Sequence, residues 1–122
     1  MFNFHIADYI NRINNCIKTH KRVVIVTKTK LTIAISNLLM QKSHLKNFIK
    51  TVYKLILSIN INKLKYKKYT LVSKPSKRIY TSYKALKPNT HTNVILSTSK
   101  GIIDNKHAYK HHIGGEILFT IS

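Results

Sequence analysis

The sequence predicts an α+β chain. Its first half is ordered helix, strand, helix, strand, strand, and its second half is mostly short β elements with one short helix. Three observations carry that expectation. Apolar residues recur at helical spacing twice within the first 40 positions. They then switch to strand-like runs broken by polar turns. The length of 122 residues, of which 43% are hydrophobic, suits one packed domain or two very small ones and argues against wholesale disorder.

The elements follow in order. Ile6, Ile10, Ile13 and Ile17 mark one face of an opening helix, with Asp8 expected in its first turn and Arg12 and Asn15 on its other, available faces. Arg22 to Thr27 is a β-branched run that reads as a buried strand. Leu31, Ala34, Ile35, Leu38 and Leu39 restore helical spacing, and Thr29 is placed to cap that second helix. Between Phe48 and Ile59 the pattern approaches alternation. It fits one strand or two joined near Lys50 to Val52, with a turn at Asn60 to Asn62. Lys63 to Lys68 is basic, with Leu64 and Tyr66 interleaved. Thr70 to Val72 then leads into a polar turn, Ser73 to Arg78, and Arg78 to Tyr80 could be another strand. Lys84 to Leu86 reads as a helical turn, Val94 to Leu96 as a strand, Asp104 to about Lys110 as a helix, and Glu116 to Ile121 as a closing strand after Gly114-Gly115.

Charge narrows the function. There are 22 Lys and Arg against 3 acids, Asp8, Asp104 and Glu116, giving a net charge of +19. Internal salt bridges cannot absorb such a surplus, so the chain calls for a polyanion. Nucleic acid is the foremost candidate, through phosphate contacts and counterion release. An anionic membrane surface comes second, and a merely solubilising surface third, since such surfaces mix both signs. A single Cys excludes an internal disulfide framework and a Cys-cluster metal site. No apolar run approaches the roughly 18 residues of a membrane span. The start has neither a signal-peptide nor a transit-peptide pattern, so the chain is expected to act in the compartment where it is made. Only Arg12, Arg22 and Arg78 are arginines, and Lys, Asn and Ile are heavily used, a bias that A/T-rich codons produce.

The last third holds the most pointed constellation. Ser97-Thr98-Ser99-Lys100-Gly101 follows a strand and offers three hydroxyls, a cation and a permissive backbone, a set suited to splayed RNA. The order of a phosphate-binding Walker loop is absent, and a plain polar turn is the alternative. His107 and His111 sit one helical turn apart, but no Glu follows His107, so the zinc-protease helix motif fails and no metal is expected. No nucleophile elbow exists, and three acids leave almost nothing for paired-carboxylate catalysis. Cys16 reads as packing. Tyr66, Tyr69, Tyr80, Tyr83 and Tyr109 lie among cations, where some can stack on bases while others fill the core.

These residues carry a resemblance to the small-subunit ribosomal protein S8 family. Ser97 to Gly101, then Gly114-Gly115-Glu116-Ile117-Leu118 after a helix-sized gap opened by Asp104, is its most specific part. Ser73-Lys74-Pro75-Ser76-Lys77-Arg78-Ile79-Tyr80 resembles the family's Pro-containing turn. Ile6-Ala7-Asp8 with Arg12-Ile13 and Asn15 matches its opening helix, and Thr29-Lys30-Leu31, Ala34-Ile35 and Asn37-Leu38-Leu39 match its second. The resemblance is weakest from Lys46 to Thr70. Departures are Thr90 and Thr92 where glycines are usual, Ser76 in place of Gly, and His112 in place of Gly.

The resemblance implies two small subdomains, an α/β one at residues 1–62 and a mostly β one with a short helix at 63–122. It implies a structural, non-enzymatic role without cofactor or small-molecule substrate, in which the protein binds the central domain of small-subunit ribosomal RNA beside neighbouring ribosomal proteins and supports platform assembly. The RNA-facing residues it implies are Arg12, Asn15, Thr29, Lys30, Lys74, Arg78, Tyr80, Ser97, Thr98, Ser99, Lys100, Gly101 and Glu116. Codon-biased composition points to an organelle, the mitochondrion before the plastid, with an A/T-rich bacterium as a further source. Two rivals stand beside this reading. One is an RNA-processing enzyme using His107 or His111 as acid or base, and the other is a basic membrane-surface protein.

Overall fold

The computed structural model describes residues 4–64, 67–72, 79–86 and 92–122. The chain divides into two compact units, one comprising Asn3–Lys68 and the other Tyr69–Ser122.

The first unit runs α1 (Phe4–Lys18), β1 (Val23–Thr27), α2 (Lys30–Gln41), β2 (Leu45–Lys50), β3 (Lys54–Ile59) and α3 (Ile61–Leu64). Its three strands form an antiparallel sheet in the order β1-β3-β2. Helix α1 packs on β1 and α2 on β2. Of the four isoleucines spaced along α1, Ile6, Ile10 and Ile13 are fully buried, together with Tyr9, while Ile17 near the end of the helix is half-buried. The Tyr9 hydroxyl lies 2.9 Å from Ser36 Oγ, and the Ser36 hydroxyl donates to the Thr32 carbonyl at 2.8 Å. Tyr9 is therefore the donor of the buried pair, and burial raises its phenol pKa further. Thr29 caps α2 through a reciprocal box with Thr32, whose backbone N–H donates to Thr29 Oγ1 at 3.1 Å while Thr32 Oγ1 accepts from the Thr29 N–H at 2.8 Å. Such a cap contributes about 1 kcal/mol.

Four local expectations change. Asp8 lies beyond the first turn, because α1 starts at Phe4, and it pairs with Arg12 four residues on rather than with the helix dipole. The run after Arg22 forms an edge strand, not a buried one. Helix α1 covers one face, so Val26 is buried while Val23 and Ile25 on the other face are 53% and 49% exposed. The near alternation of 48–59 resolves into a hairpin closed by Thr51, whose Oγ1 accepts from the Lys54 N–H at 3.0 Å. Leu55, Leu57 and Ile59 face inward, whereas Ile49 pairs with Ile56 and is 59% exposed, because the turn breaks the parity. At Asn60 to Asn62 the expected turn becomes the start of α3, with the Asn60 carbonyl accepting from the N–H groups of Lys63 and Leu64.

The second unit runs β4 (Tyr69–Leu71), β5 (Tyr80–Thr81), a 3-10 turn (Tyr83–Leu86), β6 (Asn93–Thr98), β7 (Gly101–Asp104), α4 (Asn105–Lys110) and β8 (Gly115–Ile121). The sheet order is β4-β8-β6-β7, with β5 also paired to β8, and every pairing is antiparallel. Tyr69 and Phe119 stack in the core at 5.9 Å between ring centroids, and their register partners Ile121 and Ile95 are buried with them. Leu86, Leu96 and Ala108 form a second cluster that seats α4. Asp104 caps α4, accepting from the His107 N–H at 3.0 Å. The expected polar turn Ser73 to Arg78 lies outside the described residues.

One buried group in the first unit makes its stability respond to pH. His44, directly before β2, is buried, and its pKa falls from the ordinary 6.5 to about 4, through burial first and then repulsion from Lys63, Lys42 and Lys67. The unfolded chain takes up a proton near pH 6.5, whereas the folded chain refuses it until about pH 4. His44 therefore contributes stability above pH 6.5 that is lost as pH falls through that window. Urea denaturation at pH 7 and pH 4.5 should show a loss roughly 2 kcal/mol larger in the parent than in His44→Leu. An equal loss in both would contradict the assignment.

Candidate nucleic-acid interface

The hydroxyl-rich segment builds a β-hairpin. Strand β6 extends through Thr98 and β7 begins at Gly101, leaving Ser99 and Lys100 as the exposed tip. Gly101 has φ of 105°, a conformation that side chains strongly disfavour, which is why a glycine closes this turn. Thr98 is used to hold the turn: its hydroxyl donates to the Gly101 carbonyl at 2.9 Å and accepts from the Lys100 N–H at 3.2 Å. The hydroxyls of half-buried Ser97 and exposed Ser99 have no protein partner among the described residues.

Register sets the neighbours. Tyr80 pairs with Glu116, Glu116 with Ser97, and Ser97 with Ile102. Paired residues of adjacent strands carry their side chains on one face, so an aromatic ring, a carboxyl and a hydroxyl stand side by side across β5, β8 and β6. Tyr80 is 65% exposed at the end of this row. Glu116 is buried, and its Oε2 has no hydrogen-bond partner among the described residues. A buried acceptor left unpaired is costly, on the order of 1–3 kcal/mol, so a donor that reached it on local opening of the row would be favoured. The base amines and ribose hydroxyls of RNA are such donors.

The glycines before Glu116 make the row possible. A Cβ on Gly115 would sit 2.4 Å from the Ser97 carbonyl oxygen and 2.9 Å from Thr98 Cγ2, and one on Gly114 would sit 2.4 Å from the Thr81 carbonyl oxygen. Only bare backbone lets β5 and β6 close on β8 from both sides at this point.

In the first unit, Arg12 and Asn15 share a groove of about 350 Å³ between α1 and the β1 edge, lined also by Thr19 and Lys21. Arg12 is less available than its helix position suggested, because its Nε donates to Asp8 at 2.9 Å and its Nη1 to the Ile25 carbonyl at 3.2 Å. The Thr29 hydroxyl is engaged in the α2 cap, while Lys30 beside it is exposed. Lys74 and Arg78 lie outside the described residues. Cys16 is buried, donates to the Lys21 carbonyl at 3.0 Å, and has its thiol pKa raised by burial, an arrangement of packing and not of reactivity.

Three further features bear on the rival readings. The His107 ring lies 2.7 Å from Asp104 Oδ1, but that same oxygen caps α4, so the pair serves the helix start. Among the described residues no three His, Cys, Asp or Glu side chains are grouped to hold a metal ion, and no helix is long and apolar enough to cross a membrane. The tyrosines divide. Tyr69 is core, Tyr83 packs against Tyr109 and edge-on to His112, Tyr80 is exposed, and Tyr66 lies outside the described residues. Sequence reasoning assigned no role to Arg22, Lys46, Asn60 and Asn62, which the fold gathers around a cleft of about 280 Å³. Their separation along the chain left no local signal.

Comparison with known proteins gives a consistent outcome. The family model for ribosomal protein S8 matches residues 5–122. The chain is 33% identical to small ribosomal subunit protein uS8 of Aliarcobacter butzleri, over 99% of both chains. It is 37% identical to the uS8 of Chlorobium chlorochromatii, over 95% of both, and 38% identical to that of Parabacteroides distasonis, over 93% of this chain and 94% of that one.

The two glycine effects are separable. Gly115→Ala forces backbone apart and should lower the denaturation free energy by about 2–3 kcal/mol. Gly101→Ala strains one turn in open space and should lower it by about 1–2 kcal/mol. Urea titrations measure both, and a harmless Gly115→Ala would refute the close approach.

Proposed function

The chain belongs to the ribosomal protein S8 family, and on that premise we propose that it is an RNA-binding structural component of a small ribosomal subunit that performs no catalysis. Its RNA partner is the central domain of the small-subunit ribosomal RNA, where it supports platform assembly among neighbouring ribosomal proteins. The observation that carries this reading is the row Tyr80–Glu116–Ser97 beside the hairpin tip of Ser99 and Lys100. It joins a stacking ring, an unpaired buried acceptor, free hydroxyls and a cation on one rigid sheet, which is what recognition of splayed bases requires.

Affinity and selectivity come from different residues. The surplus of lysines binds phosphates irrespective of sequence, while Ser97, Ser99, Tyr80 and Glu116 read one RNA feature. Lys30, Lys74, Arg78 and Lys100 belong to the first class, as does whatever part of the Arg12 guanidinium its partners leave free. Asn15 adds an amide in the Arg12 groove, and Thr29, Thr98 and Gly101 act by shaping the segments that present their neighbours. The composition, rich in Lys, Asn and Ile, favours an organellar ribosome, the mitochondrial one first and the plastid second, although the relatives named above are bacterial.

Filter binding tests the division of labour. Ser97→Ala with Ser99→Ala should weaken binding to a central-domain rRNA fragment by about ten-fold or more and change binding to a plain RNA duplex by less than about two-fold. Equal losses on both RNAs would remove the hairpin's assigned role. The parent's affinity should also fall steeply with salt, with a log–log slope of about −0.7 to −0.9 for each phosphate contact.

A further inference from the structure

The first unit holds a cleft that the reading above leaves unused. Its walls are Arg22, at the entrance to β1, Lys46, in β2, and Ile59, Asn60 and Asn62 where β3 passes into α3. Three backbone features bring them together. The Ile59 N–H donates to the Arg22 carbonyl at 2.8 Å, and the Asn60 N–H to the His44 carbonyl at 3.0 Å. The pairing of β2 with β3 shifts register between Leu45 and Asn47, which leaves Lys46 out of the ladder.

The chemistry of the cleft is one-sided. Most of its lining is polar, and Ile59 is only 2% exposed. Arg22 and Lys46 supply cations, and Asn62 is exposed with an amide to offer. The Asn60 side chain is anchored by donating to the Ser43 carbonyl at 3.1 Å. The first unit holds one acid, Asp8, and it is paired with Arg12 on α1. Further cations stand close by. Lys63 Nζ donates to the Lys42 carbonyl at 2.6 Å, which fixes that ammonium beside the end of α2. The positive potential of the region reaches inside the protein, since Lys63, Lys42 and Lys67 all help to keep His44 neutral.

We propose that this cleft is a second RNA contact, in which Arg22, Lys46 and Asn62 take phosphodiester groups of the RNA backbone without regard to base sequence. The proposal rests on the rRNA-binding reading and adds to it a surface the first unit carries by itself. A phosphate matches the site better than an acidic protein segment. Protein recognition centres on a desolvated apolar anchor, and this cleft exposes none. Phosphate recognition needs forked or point cations and amide donors, all of which are present.

The test uses the full chain and a central-domain rRNA fragment, with Arg22→Gln plus Lys46→Gln as the principal variant. Both side chains are exposed, so folding should be kept, which circular dichroism checks. Affinity at near-physiological salt should fall about ten-fold, and the log–log salt slope should shrink by about 1–2 units, while preference for the rRNA fragment over a plain duplex stays as in the parent. Asn62→Asp, which places a carboxyl in the cleft, should also weaken binding. The His44 ring gives a second readout by NMR: its pKa should rise when the rRNA fragment neutralises the nearby lysines, and rise less in the double variant. Unchanged affinity and salt slope, or a His44 titration that RNA does not move, would overturn the proposal. So would intact RNA binding together with loss of binding to a poly-glutamate peptide, which would assign the cleft to protein. If the parent binds the fragment no better than a plain duplex, the parent reading itself fails, an outcome distinct from loss in the variant alone.

Discussion

Strand β8 is the member on which the second unit hangs. It pairs with β4 and β5 along one side and β6 along the other, and its first residues have strands close on both flanks. That closeness is a steric constraint before it is anything else. Two successive glycines remove the atoms that would collide with the Thr81 and Ser97 carbonyls. Once the strands are closed, register leaves no freedom: Glu116 must stand between Tyr80 and Ser97, and the hairpin tip must follow two residues later. The row of Tyr80, Glu116 and Ser97 is thus a consequence of packing at a backbone position with no side chain of its own.

Electrostatics divides the work differently. The three acids all have local duties, one beside Arg12, one at the start of α4 and one buried in the row. None is left to neutralise the lysines, so compensation must come from a partner. The same surplus acts on the protein's interior. His44 keeps its neutral form partly because ammonium groups crowd its surroundings, which couples surface charge to core protonation. A polyanion that relieves one relieves the other.

Hydroxyl groups divide into those the fold engages and those it leaves without a protein partner. Thr29 and Thr98 resemble Ser97 and Ser99 chemically, yet the first two are engaged in a helix cap and a turn, while the last two remain unengaged. A hydroxyl within hydrogen-bonding reach of a backbone N–H or carbonyl is captured when the geometry permits. Those that project from a strand face or a hairpin tip escape capture and can meet a ligand.

The sequence by itself determined the family, the α+β class and the position of the longer elements, but not α3, β4 or β7. Those follow from local signals: isoleucine spacing for α1, Thr29 for the α2 cap, Asp104 for α4, and the Ser-Thr-Ser-Lys-Gly and Gly-Gly-Glu motifs for the hairpin and β8. Local pattern was less able to place a strand at an edge or in the middle of a sheet, which is why β1 reads as buried and is half exposed, and why Ile49 shares a parity with Leu55 yet faces the other way. Tertiary structure alone decided which residues meet. The row of Tyr80, Glu116 and Ser97 draws on three strands, and the Arg22–Lys46–Asn60 cleft spans nearly 40 residues of chain. The physical reason is that periodicity encodes a residue's own burial, whereas pairing register and closure of distant strands depend on the whole fold being formed.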